Sequence, residues 1–391
     1  MSNYVDVTSL GVIPDGLSCC ADDIERIISQ LPANGATLYF PPGDYALTKS
    51  IVIERSGISL SGAGRNASRF ISEKPSHSYI VYGSNSNQVT NFSVENLGFN
   101  SLTPRDDGAY LHLNNAFNSK VSDCTFANSH IAINVENSSF FYMTDCMIID
   151  PSSETGLGVL VHGSGRHNDQ YFSRVFVQSQ DRSAPCAAGF RLANSQALWM
   201  SHCGAYHCNV GVHIIATTGM TCEHLFFSEN HSDNCANDGW LIEAGQAATV
   251  RRIQFMGDWA ASNGGRGWAV RSSGGAVDDI SLQAIRAYSN GGAGVFAENV
   301  GMLSVQNSTI GGSGAGAEIE LAGQNETFIS QGNRLGKISG LKSSASHMIA
   351  GIGSTRNTII SGNIGVGFDM LCDDVNFEHE LTEKNIKISE V

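Results

Sequence analysis

Apolar and polar residues alternate in short bursts along most of this chain, and the bursts repeat. Gly211-Val-His-Ile-Ile, Gly239-Trp-Leu-Ile-Glu and Gly267-Trp-Ala-Val-Arg share one pattern, and a fourth copy starts at Gly294; the starts are 28, 28 and 27 residues apart. Alternation with period 2 is the signature of a strand with one buried face. A repeat of this length marks a solenoid in which each copy is one coil. After each start comes a second alternating run, Cys222-Glu-His-Leu-Phe-Phe, Val250-Arg-Arg-Ile-Gln-Phe or Val277-Asp-Asp-Ile-Ser-Leu, and then a turn asparagine, Asn234, Asn263 or Asn290.

The pattern extends both ways, through starts at Gly108, Ala132, Gly158 and Gly189 and on to Gly316. The residues one and three places after each start are apolar, from Ala109/Leu111 through Trp240/Ile242 to Ala317/Ile319, so they point inward. In the second run the inward pairs include Cys124/Phe126, Cys146/Ile148, Cys203/Ala205, Leu225/Phe227 and Ile253/Phe255. Cys124, Cys146 and Cys203 then form one interior column of small apolar thiols. Asn128, Asn209, Asn234, Asn263 and Asn290 are expected to form an amide ladder at the turns.

Ahead of the repeats, Ile24, Ile27, Ile28 and Leu31 recur at helical spacing behind Asp22 and Asp23, whose charges suit a helix N-terminus. A helix over Ala21–Leu31 follows. Ala36-Thr-Leu-Tyr-Phe reads as a strand, Pro41-Pro42-Gly43 breaks it, and strands continue through Ile51-Val-Ile and Ile58-Ser-Leu to Gly62-Ala-Gly64. That glycine pair is a turn between coils and not a phosphate loop, because no βαβ unit follows it. Gly11, Asp15-Gly16, Asp22-Asp23, the helix, Phe40-Pro-Pro-Gly43-Asp-Tyr45 and Leu60-Ser-Gly62-Ala-Gly64 together resemble the N-terminal signature of the pectate-lyase-like superfamily. The resemblance covers about the first seventy residues. It departs from the family at Ala21, where a threonine usually precedes the paired acids. It implies an all-β, right-handed parallel β-helix with an N-terminal capping helix, in one structural domain: cap and first coils over 1–70, central coils over 71–338, last rung and tail over 339–391. The same opening occurs in lyases, glycoside hydrolases, epimerases and phage tailspikes, so it carries fold and leaves the reaction open.

Composition narrows the partners. The formal net charge is −14 and no basic run occurs, which argues against nucleic acid and against anionic membranes. No stretch is long and apolar enough to span a bilayer. Met1-Ser-Asn-Tyr-Val-Asp-Val lacks the basic and apolar regions of a signal peptide, so cytoplasmic synthesis and free thiols are expected for the ten cysteines, with a virion as one destination. No Cys-x-x-Cys pair is present, and neither metal nor cofactor is invoked.

Fixing the inward set fixes the outward set, where a polymer would lie. On the first strand it includes Tyr110, His112, Glu136, His162, His213, Glu243 and Arg271; on the second, Asp123, Asp145, Arg174, His202, His224, Arg252 and Asp279. Aligning Ser228-Glu229-Asn230 with Gly257-Asp258-Trp259 places Glu229 beside Asp258 in the next coil, about 4.8 Å away. Two such carboxylates cannot both ionise cheaply, which suits a glycosidase needing an acid and a nucleophile or base. Trp259 offers a sugar-stacking face, and His207, Tyr206, Asp233 and Arg286 come from aligned turns nearby. Glu243 and His224 complete the catalytic candidates. A lyase would instead use His202, His224, Arg174 and Arg252, read as one outward column, to neutralise a uronate and take its proton. The chain lacks the Arg-x-Pro-x-x-Arg segment of pectate lyases and the Asn-Thr-Asp, Gly-His-Gly and Arg-Ile-Lys set of polygalacturonases. The expectation is a β-helix enzyme, a glycoside hydrolase or a polysaccharide lyase, that binds and cleaves a polysaccharide as a tailspike depolymerase does. By the same resemblance it is a homotrimer. A fructotransferase-like enzyme and a non-catalytic glycan-binding virion protein remain the alternatives.

Overall fold

The computed structural model describes residues 4–73, 76–151, 154–164, 168–180, 182–314, 316–336, 347–351, 354–366, 370–373, 377–383 and 386–388. The fold is an all-β parallel β-solenoid of about 12 turns, with one short α-helix among the described residues. By internal contact the chain divides into two compact units, 1–191 and 192–391, a division that falls inside the span read as central coils.

In unit 1 the strands Tyr4–Asp6 and Asp15–Cys19 precede the helix Ala21–Gln30, which is one residue shorter than the spacing predicts. Asp22 and Asp23 lie in its first turn, and its buried face is Ala21, Ile24, Ile27 and Ile28, which pack on the strand Ile51–Ile53. Pro32 ends it by disfavouring helical backbone at Leu31, which is extended. Ala36–Phe40 then pairs in parallel with Ile58–Gly62, and that strand with Val89–Glu95. A second sheet of the same unit stacks Ile51–Ile53, Ile80–Tyr82, Ala109–Asn114, Ile131–Glu136 and Leu157–His162.

Unit 2 shows the coil most clearly, and each coil has three strands where the sequence suggests two. Trp240–Ala244 pairs with Trp268–Ser272; Thr221–Ser228 with Thr249–Met256; and the short His231–Asp233 with Trp259–Ala261. Two residues separate the second and third strands, a left-handed one, His202, Glu229 or Gly257 in successive coils, and then an inward one, Cys203, Asn230 or Asp258. The corner shifts the inward parity by one residue, from Phe227 to Asn230 and from Phe255 to Asp258, a step short enough for the two strands to read as one. Cys203 and Ala205 therefore do not align with Leu225 and Phe227: Leu225 pairs with Leu198, and Ala205 with Ser232.

The register of the four marked coils is as the glycines predict, Val212 to Trp240 to Trp268 to Val295. It slips by two at the ends, where Leu111 pairs with Ile133 and Val295 with Ile319. A slip of two keeps every face. It does move Tyr110, expected outside, to a coil-start position where it is fully buried. The repeated glycines have a cause in packing: a Cβ on Gly239 would sit 2.7 Å from the Asn263 amide. That amide belongs to a ladder, for Cys235 N donates to Asn263 Oδ1 (2.9 Å) and Asn263 Nδ2 to Asn290 Oδ1 (3.0 Å). Asn128 and Asn234 are instead left-handed turn residues, and Asn209 bonds to Asn237. Indoles Trp240 and Trp268 stack in the core, 6.1 Å apart and 2° from parallel, each with no exposed surface. Burial of such a ring is worth upwards of about 1.5–3 kcal/mol. At the far end, Phe377–Glu383 pairs in parallel with Ser354–Ser361, so the span read as last rung and tail, 339–391, carries more than one rung.

Eight of the nine cysteines described are buried and all nine are free, Cys19 being part-exposed. Burial pushes the Cys222 thiol up to about 12, so little thiolate is present at neutral pH. Ellman titration is expected to find at most two of the ten cysteines reactive in the native protein and all ten after denaturation. Equal native and denatured counts would show that the thiols are not interior.

Candidate functional site

The left-handed corners decide which side chains of unit 2 reach solvent. Glu229 N donates to Met256 O (3.0 Å), which sets Glu229 opposite Gly257 and Asn230 opposite Asp258. The alignment of Glu229 with Asp258 is therefore one residue out, and with period 2 a slip of one turns a side chain to the opposite face. Asp258 points inward, with none of its surface exposed. Its Oδ1 accepts from Asn230 N (2.9 Å) and Asn230 Nδ2 (2.8 Å), and its Oδ2 from Met256 N (2.9 Å). Burial raises its pKa to about 7, against the opposing pull of those hydrogen bonds. Asp258 is a rung of the interior ladder, and the Glu229–Asp258 acid pair does not exist.

Glu229 itself lies outside. Its Oε2 meets His202 Nε2 at 2.7 Å across one coil, with 65% and 58% of the two side chains exposed. Beside this pair, on the outward face of the second strands, Trp199 and Phe226 stack with centroids 5.5 Å apart and planes 20° from parallel. They form, with Ser201, Ser228, Gln254 and Met256, a groove of about 340 Å³. Trp199 is 37% and Met256 47% exposed. The sequence carried a signal for this groove: Ala-Leu-Trp199-Met and Leu-Phe226-Phe place an aromatic where the alternation calls for a polar residue.

The other candidates separate into three groups. Tyr206, Asp233, Trp259 and Arg286 do share the outward face of the third strands, in the pairings Tyr206–Asp233 and Trp259–Arg286, and His207 follows at a left-handed turn. Tyr206 Oη lies 3.4 Å from His231 Nδ1, and Asn234 Nδ2 donates to Asp233 (3.0 Å). Trp259 is half-buried, edge-on to Tyr288 at 5.3 Å, so part of its ring packs against protein. His224 and Arg252 occupy a different left-handed column, inside the second strands, and not that of His202. Arg252 Nη1 lies 3.3 Å from His224 Nε2 and 3.4 Å from Glu223, which also holds Arg251 at 2.8 Å. Arg174, of unit 1, is held bidentately by Asp145. Within unit 2 the lyase candidate His202 therefore does not share a column with His224 and Arg252. Glu243 lies on the first strands, where His213 (2.9 Å) and Arg271 (3.1 Å) hold it ionised, with a pKa lowered to about 2. A carboxylate so committed is a poor proton donor. Among the described residues no cluster of three or more His, Cys, Asp or Glu side chains is placed to hold a metal ion.

A model of the family described as rhamnogalacturonase A/epimerase, pectate lyase-like, matches residues 4–240, more than half of the chain. The chain belongs to that family. The match bears out the resemblance of the first seventy residues and runs on through Trp199, Phe226, Glu229 and Asp233. No curated protein matches the chain. Among solved structures it is similar to the A-module of the mannuronan C-5 epimerase AlgE6 of Azotobacter vinelandii, at 14% identity and TM-score 0.66, over 99% of this chain and 100% of that one. It is also similar to tailspike protein 3 of bacteriophage CBA120, at 12% identity and TM-score 0.71, over 98% of this chain and 61% of that one. A GH87 α-1,3-glucanase of Streptomyces thermodiastaticus gives 12% identity and TM-score 0.57, over 99% and 69%. At such identities the likeness is one of fold.

Asp258 also generates a prediction. Its pKa is higher in the folded than in the unfolded chain, so its contribution to stability is present below about pH 4 and is lost as pH rises to about 7. Asp258→Asn supplies a neutral amide at the same rung. It is expected to raise the unfolding free energy at pH 8 relative to wild type, by an amount on the order of a few kcal/mol, and to show a smaller gain at pH 4. A gain equal at both pH values would show that Asp258 is not the titrating rung.

Proposed function

We propose that this protein binds a polysaccharide along the outward face of unit 2 and hydrolyses it there. The observation that carries the reading is the exposed Trp199–Phe226 stack lining a groove beside the His202–Glu229 pair. Exposed parallel rings leave apolar surface in water, and the apolar face of a sugar ring covers it while its hydroxyls reach Ser201, Ser228 and Gln254. Family membership supports the reading, as do the names of three structures of similar fold: a mannuronan epimerase, a tailspike and a glucanase.

In this reading Glu229 is the proton donor to the leaving oxygen, and His202 orients its carboxyl group. With Asp258 inside, the second carboxylate is Asp233, four residues further along the same coil and on the same outward face. Extended chain rises about 3.3 Å per residue, so the two Cα atoms are at most about 13 Å apart. That span suits the carboxyl separation of about 6.5–9.5 Å with which inverting glycosidases seat a water between acid and base. Binding without cleavage is a second reading, favoured by the exposure of Glu229 and His202, since catalytic groups ordinarily work in sites that exclude water.

Screening bacterial polysaccharides for release of reducing ends finds the substrate, and two variants then test the site. Glu229→Gln is expected to lower kcat by about 10²–10⁴-fold with little change in binding. Trp199→Ala is expected to weaken binding by about tenfold, or about 1.4 kcal/mol. Full activity in Glu229→Gln would remove the hydrolytic assignment, and wild-type binding without any new reducing ends would leave the binding reading.

A further inference from the structure

The charges around the aromatic groove say which sugars it accepts. The residues lining it are Trp199, Met200, Ser201, Phe226, Phe227, Ser228, Gln254 and Met256, and none is charged. The nearest cations along these strands, Arg251 and Arg252, are both held by Glu223. The flanking His202–Glu229 pair adds no net positive charge, since its members cancel when His202 is protonated and sum to −1 when it is neutral. The whole chain is acidic, at −14. A carboxylate seated on these rings would give up water without a counter-charge, a loss that hydroxyl groups on Ser201 and Ser228 do not repair.

From this we infer that the Trp199–Phe226 groove is a subsite for an uncharged sugar unit and rejects a uronate. The inference rests on the proposal that this face binds glycan and adds the class of residue bound. A neutral pyranose complements the groove, with an apolar C–H face for the two rings and Met256 and hydroxyl groups for the Gln254 amide and the two serines. The contrast within the protein is instructive. The 360 Å³ hollow of unit 1 is rimmed by Arg65, Arg69 and Asp150, so charge is available in this fold where the sequence places it. Any uronate bound there has no dependence on Trp199.

The test uses the full chain and saturation-transfer NMR with four defined probes: maltotetraose and chitotetraose as neutral oligomers, tetragalacturonate and tetraguluronate as acidic ones. Wild type, Trp199→Ala and Trp199→Phe are compared, the last keeping a stacking ring and serving as the check that replacement alone does no harm. Trp199 is partly exposed, and retention of the far-ultraviolet spectrum and thermal midpoint confirms that each variant folds. The expected result is ring-proton transfer to at least one neutral oligomer, lost in Trp199→Ala and retained in Trp199→Phe, with any uronate signal at least tenfold weaker or unchanged by the alanine. Trp199-dependent transfer to a uronate at equal or greater strength would overturn the inference and leave the glycan-binding proposal standing. No Trp199-dependent transfer to any probe would overturn both.

Discussion

Parallel hydrogen bonding between successive coils is the constraint on which everything else here depends. Once Trp240 lies on Trp268 and Phe227 on Phe255, each residue's face follows from counting along the strand. The interior is then held by two kinds of stacking, aromatic rings on rings and amides on amides. The amide columns matter because each corner leaves backbone N–H groups inside the coil, where water does not reach. Asn230, Asn263, Asn290, Asn333 and Asn363 answer them from the neighbouring coil. Asp258 takes part in the same scheme as an acceptor, and its raised pKa records the cost of burying a carboxyl group where the preceding coil places the Asn230 amide.

The same constraint produces the outer face. At each corner one residue adopts left-handed backbone, and the side chain it carries stands outside between two strands. In successive coils those residues are His202, Glu229 and Gly257, so a histidine and a glutamate meet while the next coil leaves the space beside them open. The aromatic pair lies just before this corner and the Tyr206–Asp233 pair just after it, so one short stretch of surface holds rings, a carboxylate and an imidazole together.

Much of this was legible in the sequence because period-2 alternation and a 27–28-residue repeat are long-range, redundant signals. The inward apolar pairs and the interior thiols follow from them, and the capping helix from the helical spacing of Ile24, Ile27 and Ile28. Single-residue events were not legible. A left-handed corner shifts the alternation by only one residue, so the second and third strands merged into one, and the asparagines were assigned to one column where the structure uses several. The Glu229–Asp258 pair failed for the same reason: it needed register to one residue across a corner, and hydrophobic pattern fixes register only to within two. Trp199 and Phe226 were legible as exceptions to the alternation, an aromatic residue at an outward position in each of two neighbouring coils.

The most direct test of the account is hydroxyl-radical footprinting read by mass spectrometry, with and without a polysaccharide found by the reducing-end screen. If the face before the corner is where glycan binds, Trp199, Phe226 and Met256 are oxidised in the free protein and protected in the complex, while Trp240 and Trp268 stay unmodified in both. Protection centred on the first strands around His213 and Glu243, with Trp199 and Met256 still oxidised, would contradict it.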